Sequence, residues 1–291
     1  MRGVAAFENR LRKNARHRRK WARREGLTAY RLYDRDVPGF PFTVDWYDGR
    51  VHLVEYPRHA REDAALCAEV QAAVCAVLEV PAARVFTKTH LPKAWGREQY
   101  EKAGAGGEPF VVEEQGLKFW VNLSDFLDTG LFLDHRLTRA RVRDEAAGKR
   151  FLNLFGYTGS FSVYAAAGGA VSTTTVDLSN TYCDWAVRNL ELNGFRGPRH
   201  EVVRSDVVRW VRQAAERAPK FDLAVLDPPS FSASKKMEGS FNVQADHPRL
   251  VAEVAALLSP RGVLYFSTNY QGFELDEEIA RRFRADEFNR G

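Results

Sequence analysis

Four short segments of this 291-residue chain carry acids, glycines and aromatics at spacings that could do chemistry. In Asn153-Leu154-Phe155-Gly156-Tyr157-Thr158-Gly159-Ser160 an apolar run meets two glycines and then a helical pattern. Gly156 suits a tight turn and the close approach of a ligand, and Gly159 opens a helix whose N-terminal amides favour an anionic group. In Val176-Asp177-Leu178-Ser179, Asp177 stands 21 residues after Gly156, the distance at which an acid meets a ribose diol in nucleotide sites. Asp206 closes a third apolar run and could meet an adenine edge. The fourth segment is Asp227-Pro228-Pro229-Ser230-Phe231. Its prolines stiffen the backbone, Asp227 and the Pro228 carbonyl offer acceptors, and Phe231 can stack on a planar ring. A flat heterocycle held between such groups is what a base-modifying enzyme requires.

Each segment also has a plainer reading, as a strand–turn–helix with capping acids or a Pro-Pro strand end. Their order on successive strands favours a site. Ser162 occupies the place of the third glycine in the dinucleotide fingerprint, which argues against a nicotinamide enzyme. No acid–base pair suited to hydride transfer accompanies it. The three cysteines, Cys67, Cys75 and Cys183, form no Cys-x-x-Cys pair, and their odd number fits a reducing, cytoplasmic compartment. The histidines are scattered singly, so no metal is expected. No apolar run is long enough to span a membrane, and the charged N-terminus lacks the apolar stretch of a secretory signal.

The elements that must position these residues follow from periodicity. Strand-like runs at Phe151–Phe155, Ser172–Val176, Glu201–Val203, Leu223–Leu226 and Val263–Ser267 alternate with helical patterns at 159–167, 180–193, 206–217 and 247–258. This predicts βαβ units and a doubly wound parallel sheet, an α/β class, with ligands at the strands' carboxyl ends. Upstream, residues 26–123 read as a small α+β unit. It has hairpins around Asp48-Gly49 and Gly116, a helix over 62–79 and a strand over 83–89. The net charge of +5 is uneven. Residues 1–25 hold ten basic and two acidic residues, and the remainder holds 33 and 36. Residues 9–24 predict a basic helix with a thin apolar stripe (Leu11, Ala15, Trp21), too thin for a core helix. Arg10, Arg12, Lys13, Arg16, Arg19, Lys20 and Arg23 would meet a phosphate backbone there. Basic and aromatic residues also interleave at Lys88, Lys93, Trp95, Arg97, Tyr100 and Lys102, a mixture found on RNA-binding surfaces. Lys235 and Lys236 follow the Asp-Pro-Pro segment, placed to grip a substrate phosphate.

Taken in order, these motifs resemble class I S-adenosylmethionine-dependent RNA methyltransferases. Further segments narrow the resemblance: Asn9-Arg10-Leu11-Arg12-Lys13-Asn14, Tyr30-Arg31-Leu32-Tyr33-Asp34, Leu127-Asp128-Thr129-Gly130-Leu131-Phe132-Leu133-Asp134-His135-Arg136 and Phe231-Ser232 with Ser234-Lys235. Together they are similar to the C-terminal, 7-methylguanosine-forming half of the bifunctional bacterial 23S rRNA guanine methyltransferase family. The resemblance implies S-adenosylmethionine as cofactor and 23S rRNA, or a large-subunit assembly intermediate, as partner, without an obligate protein partner. It places Asp134 and Arg136 near the methionine end of the cofactor, and Asn153, Phe155, Gly156 and Tyr157 along its middle, with Thr158, Gly159 and Leu178 in the same loops. It puts Asp177 on the ribose, Asp206 and Val207 on the adenine, and Asp227, Pro228 and Phe231 on the target guanine.

The expected organisation is therefore a basic RNA-binding helix (1–25), a small α+β RNA-binding or substrate unit (26–123) and a methyltransferase domain (124–291). Seven strands are usual in such sheets, and the last two find no counterpart after the fifth run, which would leave that strand as an apolar edge. Guanine N7 has an in-plane lone pair and no proton to lose, so no general base is needed, which suits a site without histidine. Carbon methylation of cytosine would instead need a cysteine nucleophile, and none lies near Asp227. Methylation of an exocyclic guanine or adenine amine, and a catalytically idle RNA-binding protein, are the competing readings.

Overall fold

The computed structural model describes residues 3–57, 64–90, 107–126, 128–217, 220–233 and 240–287. They fall into two units, Met1–Leu133 and Asp134–Gly291. The division lies at Asp134 rather than after residue 123, and it groups the basic helix with the small α+β segment.

The first unit starts with α1 (Ala5–Glu25), which ends where Gly26 takes a left-handed conformation (φ 66°) and its N–H reaches the carbonyls of Ala22 and Arg23. The expectation that this stripe is too thin for a core helix is corrected here. Phe7, Leu11, Ala15 and Ala22 are all buried and form part of the unit's core. The stripe runs at i, i+4, i+8 and i+15, and Phe7, its anchor, precedes the basic run; the ring packs against Tyr33 and Phe40. A four-stranded sheet of order β1 (Ala29–Asp34), β2 (Phe42–Tyr47), β3 (Arg50–Glu55) and β4 (Val85–Thr89) completes this core with α2 (Ala64–Leu78). The β2–β3 turn uses Asp48 and Gly49 at positive φ, as the Asp-Gly pair demands. β5 (Phe110–Glu114) and β6 (Leu117–Val121) form a separate hairpin.

A short 3₁₀ turn (Leu133–His135), whose last two residues open the second unit, leads into α3 (Arg136–Glu145). Then follow β7 (Arg150–Leu154), α4 (Ser160–Ala167), β8 (Ser172–Asp177), α5 (Asn180–Leu192), β9 (His200–Arg204), α6 (Val207–Arg217) and β10 (Phe221–Leu226). β11 (Phe231–Ala233) and β12 (Ser240–Asn242) pair as a small antiparallel ladder that the sequence pattern does not predict. α7 (Val243–Ala255), β13 (Leu258–Phe266) and α8 (Glu277–Arg282) complete it. Among the described residues the main sheet has five strands, all parallel, in the order β13-β10-β7-β8-β9. β13 is therefore an edge strand, and Val263 on it is exposed. β7 lies at the centre and is buried on both faces from Phe151 to Leu154. That explains its continuous apolar run.

α7 begins at Val243 because the Asn242 side chain accepts from Gln244 N and Ala245 N, with Pro248 tolerated inside the helix. The periodicity starting at 247 misses this cap. No helix among the described residues is long and apolar enough to cross a membrane.

Candidate functional site

The acids and glycines singled out above gather at the carboxyl ends of β7, β8, β9 and β10, the position at which open α/β sheets bind ligands. The loop after β7 is unusual backbone. Phe155 (φ 54°) and Tyr157 (φ 48°) both sit in the left-handed region, on either side of Gly156. Such residues cost of order 1–3 kcal/mol each and cluster at ligand sites. Asp177 holds the turn in place: its Oδ2 accepts from Tyr157 N at 3.0 Å and its Oδ1 from Ser179 N at 2.8 Å. Burial pushes the Asp177 carboxyl upward, and these backbone amides pull it back. A carboxylate offers about four lone-pair sites, more than the Tyr157, Leu178 and Ser179 amides take up. The Tyr157 ring stands edge-on to Tyr182 at 4.5 Å, and Leu178 is half-buried.

Gly156 is required by its neighbours. A Cβ there would lie 2.4 Å from Thr175 Cγ2 and 3.2 Å from Asn153 Nδ2. Gly159, at φ 73°, caps α4, and a Cβ would meet that of Ala186 at 2.8 Å. No side chain caps α4, so its first amides face the loop. Asn153 and Thr158 are both buried. Asn153, 1% exposed, donates to Ser162 Oγ at 3.1 Å, which in turn bonds Thr175 Oγ1 at 2.7 Å. The Thr158 carbonyl accepts from Asn189. Ser162 thus replaces the third glycine of a dinucleotide loop with a hydrogen-bonding hub between β7, β8 and α4. Phe155 is half-buried and packs on Phe241.

Asp206 caps α6, its Oδ1 accepting from Val208 N at 2.8 Å and Arg209 N at 3.3 Å. Val207 is buried in the core. Asp134 is exposed in the 3₁₀ turn, and Arg136 is half-buried as the first residue of α3.

Asp227 occupies the end of β10, with its side chain 25% exposed. Ser267 Oγ donates to its Oδ1. His135 Nε2 stands 3.3 Å from its Oδ2. The expectation of a site without histidine is thereby corrected, because residues 92 positions apart in the chain are brought together here. The imidazole is buried and lies edge-on to Phe161 at 5.4 Å. Only the Leu-Asp-His-Arg string hints at it in the sequence. Pro228 is buried, whereas Phe231 is 48% exposed. Ser230 Oγ bonds Asn269 across the neighbouring loop.

Of the basic residues, Arg10, Arg12, Lys13, Arg16, Arg19, Lys20 and Arg23 are all exposed on α1. Arg10 pairs with Asp36, and Arg19 reaches Leu78 O and lies over Trp46. Lys13, Arg16 and Lys20 make no ion pair among the described residues, and with Arg23 they cover an arc of roughly 80° of the helix opposite its buried face. Lys88 is turned inward, donating to the Phe126 carbonyl; burial lowers its ammonium to about 8. Lys93, Lys235 and Lys236 lie outside the described residues, as do Trp95, Arg97, Tyr100 and Lys102.

A sheet of this order, with a pinned acid after its second strand and Asp-Pro-Pro after its fourth, defines a class I methyltransferase fold. The chain belongs to the S-adenosylmethionine-dependent methyltransferase family, whose model matches residues 42–288. It is 49% identical over 294 residues to ribosomal RNA large subunit methyltransferase K of Neisseria meningitidis, covering 100% of this chain and 83% of that protein. It is 50% identical over 278 residues to ribosomal RNA large subunit methyltransferase K/L of Methylococcus capsulatus, covering 93% of this chain and 38% of that one. The chain spans about two-fifths of the length of such K/L relatives. Among solved structures, SMU.776 complexed with SAH superposes with a TM-score of 0.77 at 31% identity, over 93% of this chain and 69% of that one.

Proposed function

We propose that this protein methylates guanine N7 in large-subunit 23S ribosomal RNA. The observation that carries the reading is the end of β10, where a half-buried, oriented carboxylate (Asp227) is followed four residues on by an exposed aromatic ring (Phe231). The names of the relatives supply the rRNA, and the sheet geometry supplies the chemistry.

The donor set fits the cofactor. The Asp177 carboxylate suits ribose hydroxyls, and the strained turn at Phe155–Tyr157 with the uncapped start of α4 lines the adjoining stretch. Asp206 and the backbone at Val207 are the adenine-side candidates, and Asp134 and Arg136 the methionine-side ones. When bound, S-adenosylmethionine supplies an electrophilic methyl group. The protein's own task is to align the base. Asp227 accepts from the N1–H and exocyclic N–H donors of guanine while Phe231 stacks on its face, which presents N7 in plane. Alignment of this kind is worth roughly 7–11 kcal/mol. Positive charge develops on the purine as N7 takes the methyl, and the fixed Asp227 carboxylate stabilises it without reorganising. Nothing has to be deprotonated. A cysteine nucleophile for carbon methylation is disfavoured: Cys67 and Cys75 lie on α2 of the first unit, and Cys183 is buried against the Asp177 carbonyl with its thiol pushed up to about 11.

The Lys13–Arg16–Lys20–Arg23 face of α1 would hold the rRNA backbone. The test is methylation of a 23S rRNA fragment with isotopically labelled cofactor, followed by nucleoside mass spectrometry. Labelled 7-methylguanosine is expected. Label in an N2-methylguanosine or N6-methyladenosine would replace this reading with exocyclic-amine methylation, and salt-sensitive binding without label would make the chain an idle RNA binder.

A further inference from the structure

We infer that His135 and Ser267 are positioning residues that clamp Asp227, one at each carboxylate oxygen, in the orientation that receives the substrate base. The inference rests on the reading that Asp227 meets the base. An aspartate carboxylate turns easily, because its terminal torsion is broad. In this structure Ser267 Oγ donates to Oδ1, and His135 Nε2 lies 3.3 Å from Oδ2. With a contact at each oxygen the plane of the carboxylate is set, and a carboxylate held in plane matches the adjacent N1–H and N2–H donors on one guanine edge.

Both clamps are themselves fixed. His135 is 4% exposed and wedged against Phe161. Its Nδ1 is buried and has no hydrogen-bond partner, which leaves Nε2, 3.3 Å from Asp227 Oδ2, as the ring nitrogen that faces a polar neighbour. Its backbone (φ −84°, ψ 0°) sits in the sparsely populated bridge region, at the hinge between the 3₁₀ turn and α3. Ser267 follows β13, and its N–H donates to the carbonyl of Leu226, the residue before Asp227. The clamp therefore joins the start of α3 and the ends of β10 and β13, three elements far apart in the chain. No local stretch of sequence contains it.

Steady-state methylation of the rRNA fragment tests the inference, with S-adenosylmethionine affinity measured calorimetrically on each variant. His135→Phe should lower kcat on the order of 10²-fold, the cost of about 1 Å of misplacement, and leave cofactor affinity unchanged. His135→Gln, whose amide reaches the Nε2 position, should recover most of the rate; His135→Asn, whose amide falls short of it, should not. In an Asp227→Asn background, His135→Phe should cost less than about threefold, because residues acting as a unit are non-additive. Ser267→Ala should behave as His135→Phe does. Full kcat in folded His135→Phe would overturn the clamp, as would equal losses in both Asp227 backgrounds or equal rates for the Gln and Asn variants. Should His135→Phe fail to fold, the Gln–Asn comparison alone decides. Full activity of Asp227→Asn would instead overturn the proposed role of Asp227, a result distinct from failure of the clamp.

Discussion

Replacing Asp177 by alanine should damage folding and ligand binding by amounts that can be measured separately. The carboxylate accepts from two backbone amides, Tyr157 N at 3.0 Å and Ser179 N at 2.8 Å, and the first of these holds a residue at φ 48°. Leaving a buried donor unsatisfied costs about 1–3 kcal/mol. Burial disfavours the charge on Asp177, and its removal returns part of that cost. The net loss should therefore stay near one orphaned donor, about 1–3 kcal/mol, a fall in Tm of roughly 2–10 °C for a unit of this size. The binding loss is larger in proportion. Hydrogen bonds from a ribose diol to a charged acceptor are worth about 1.5–3 kcal/mol, so Kd for S-adenosylmethionine should rise roughly 10–100-fold. Thermal unfolding followed by circular dichroism gives the first quantity and isothermal calorimetry the second. Asp206→Ala is the companion: loss of its cap on α6 should cost about 1 kcal/mol. An unchanged Tm for Asp177→Ala would refute the pinning of the turn, and an unchanged Kd would refute the ribose assignment.

Gly156→Ala should cost about 1–3 kcal/mol through overpacking, because its Cβ would sit 2.4 Å from Thr175 Cγ2. Thr175→Ser, which deletes that methyl and keeps the hydroxyl on Ser162, should rescue it in a denaturant titration. Ser162→Ala should lower stability by about 1–3 kcal/mol by orphaning the Asn153 amide, again read from denaturant midpoints. Charge reversal at Lys13, Arg16 and Lys20 should reduce the salt slope of RNA binding by about 1 for each phosphate no longer neutralised, leaving calorimetric cofactor affinity intact. Burial raises Asp128 from 3.8 to about 6, against the pull of Lys88. A carboxyl raised in the folded state loses stability as pH climbs between those values, so Asp128→Asn should be more stable than wild type above pH 6 and equal to it below pH 3.8.

Much of the second unit is legible along the chain, because its signals are local. The alternation of apolar runs and helical patterns marks all five strands of the sheet. The spacing from Gly156 to Asp177 puts the acid at the right strand end, since a strand, a helix and two loops fix that distance. What stays hidden is non-local. His135 meets Asp227 only through tertiary packing, and nothing in either segment announces the other. The bond from Asn153 to Ser162 is equally silent, because a central strand buries both its faces. On α1 the charge density masks a stripe whose anchor, Phe7, lies before the basic run. Lys88 reads as a free cation in sequence, yet the Phe126 carbonyl engages it.

The pinned turn has a consequence for anyone wishing to re-engineer this pocket. The acid that would recognise the ribose is also the brace of the backbone beside it. A designer enlarging the pocket for a bulkier cofactor analogue cannot trade Asp177 for a smaller residue without releasing Tyr157 from its left-handed conformation. Variation at this position is therefore coupled to variation at 155–157, and libraries that randomise the acid alone should return mostly collapsed turns. Productive designs would install a replacement acceptor for the Tyr157 and Ser179 amides first, and only then change what the pocket admits.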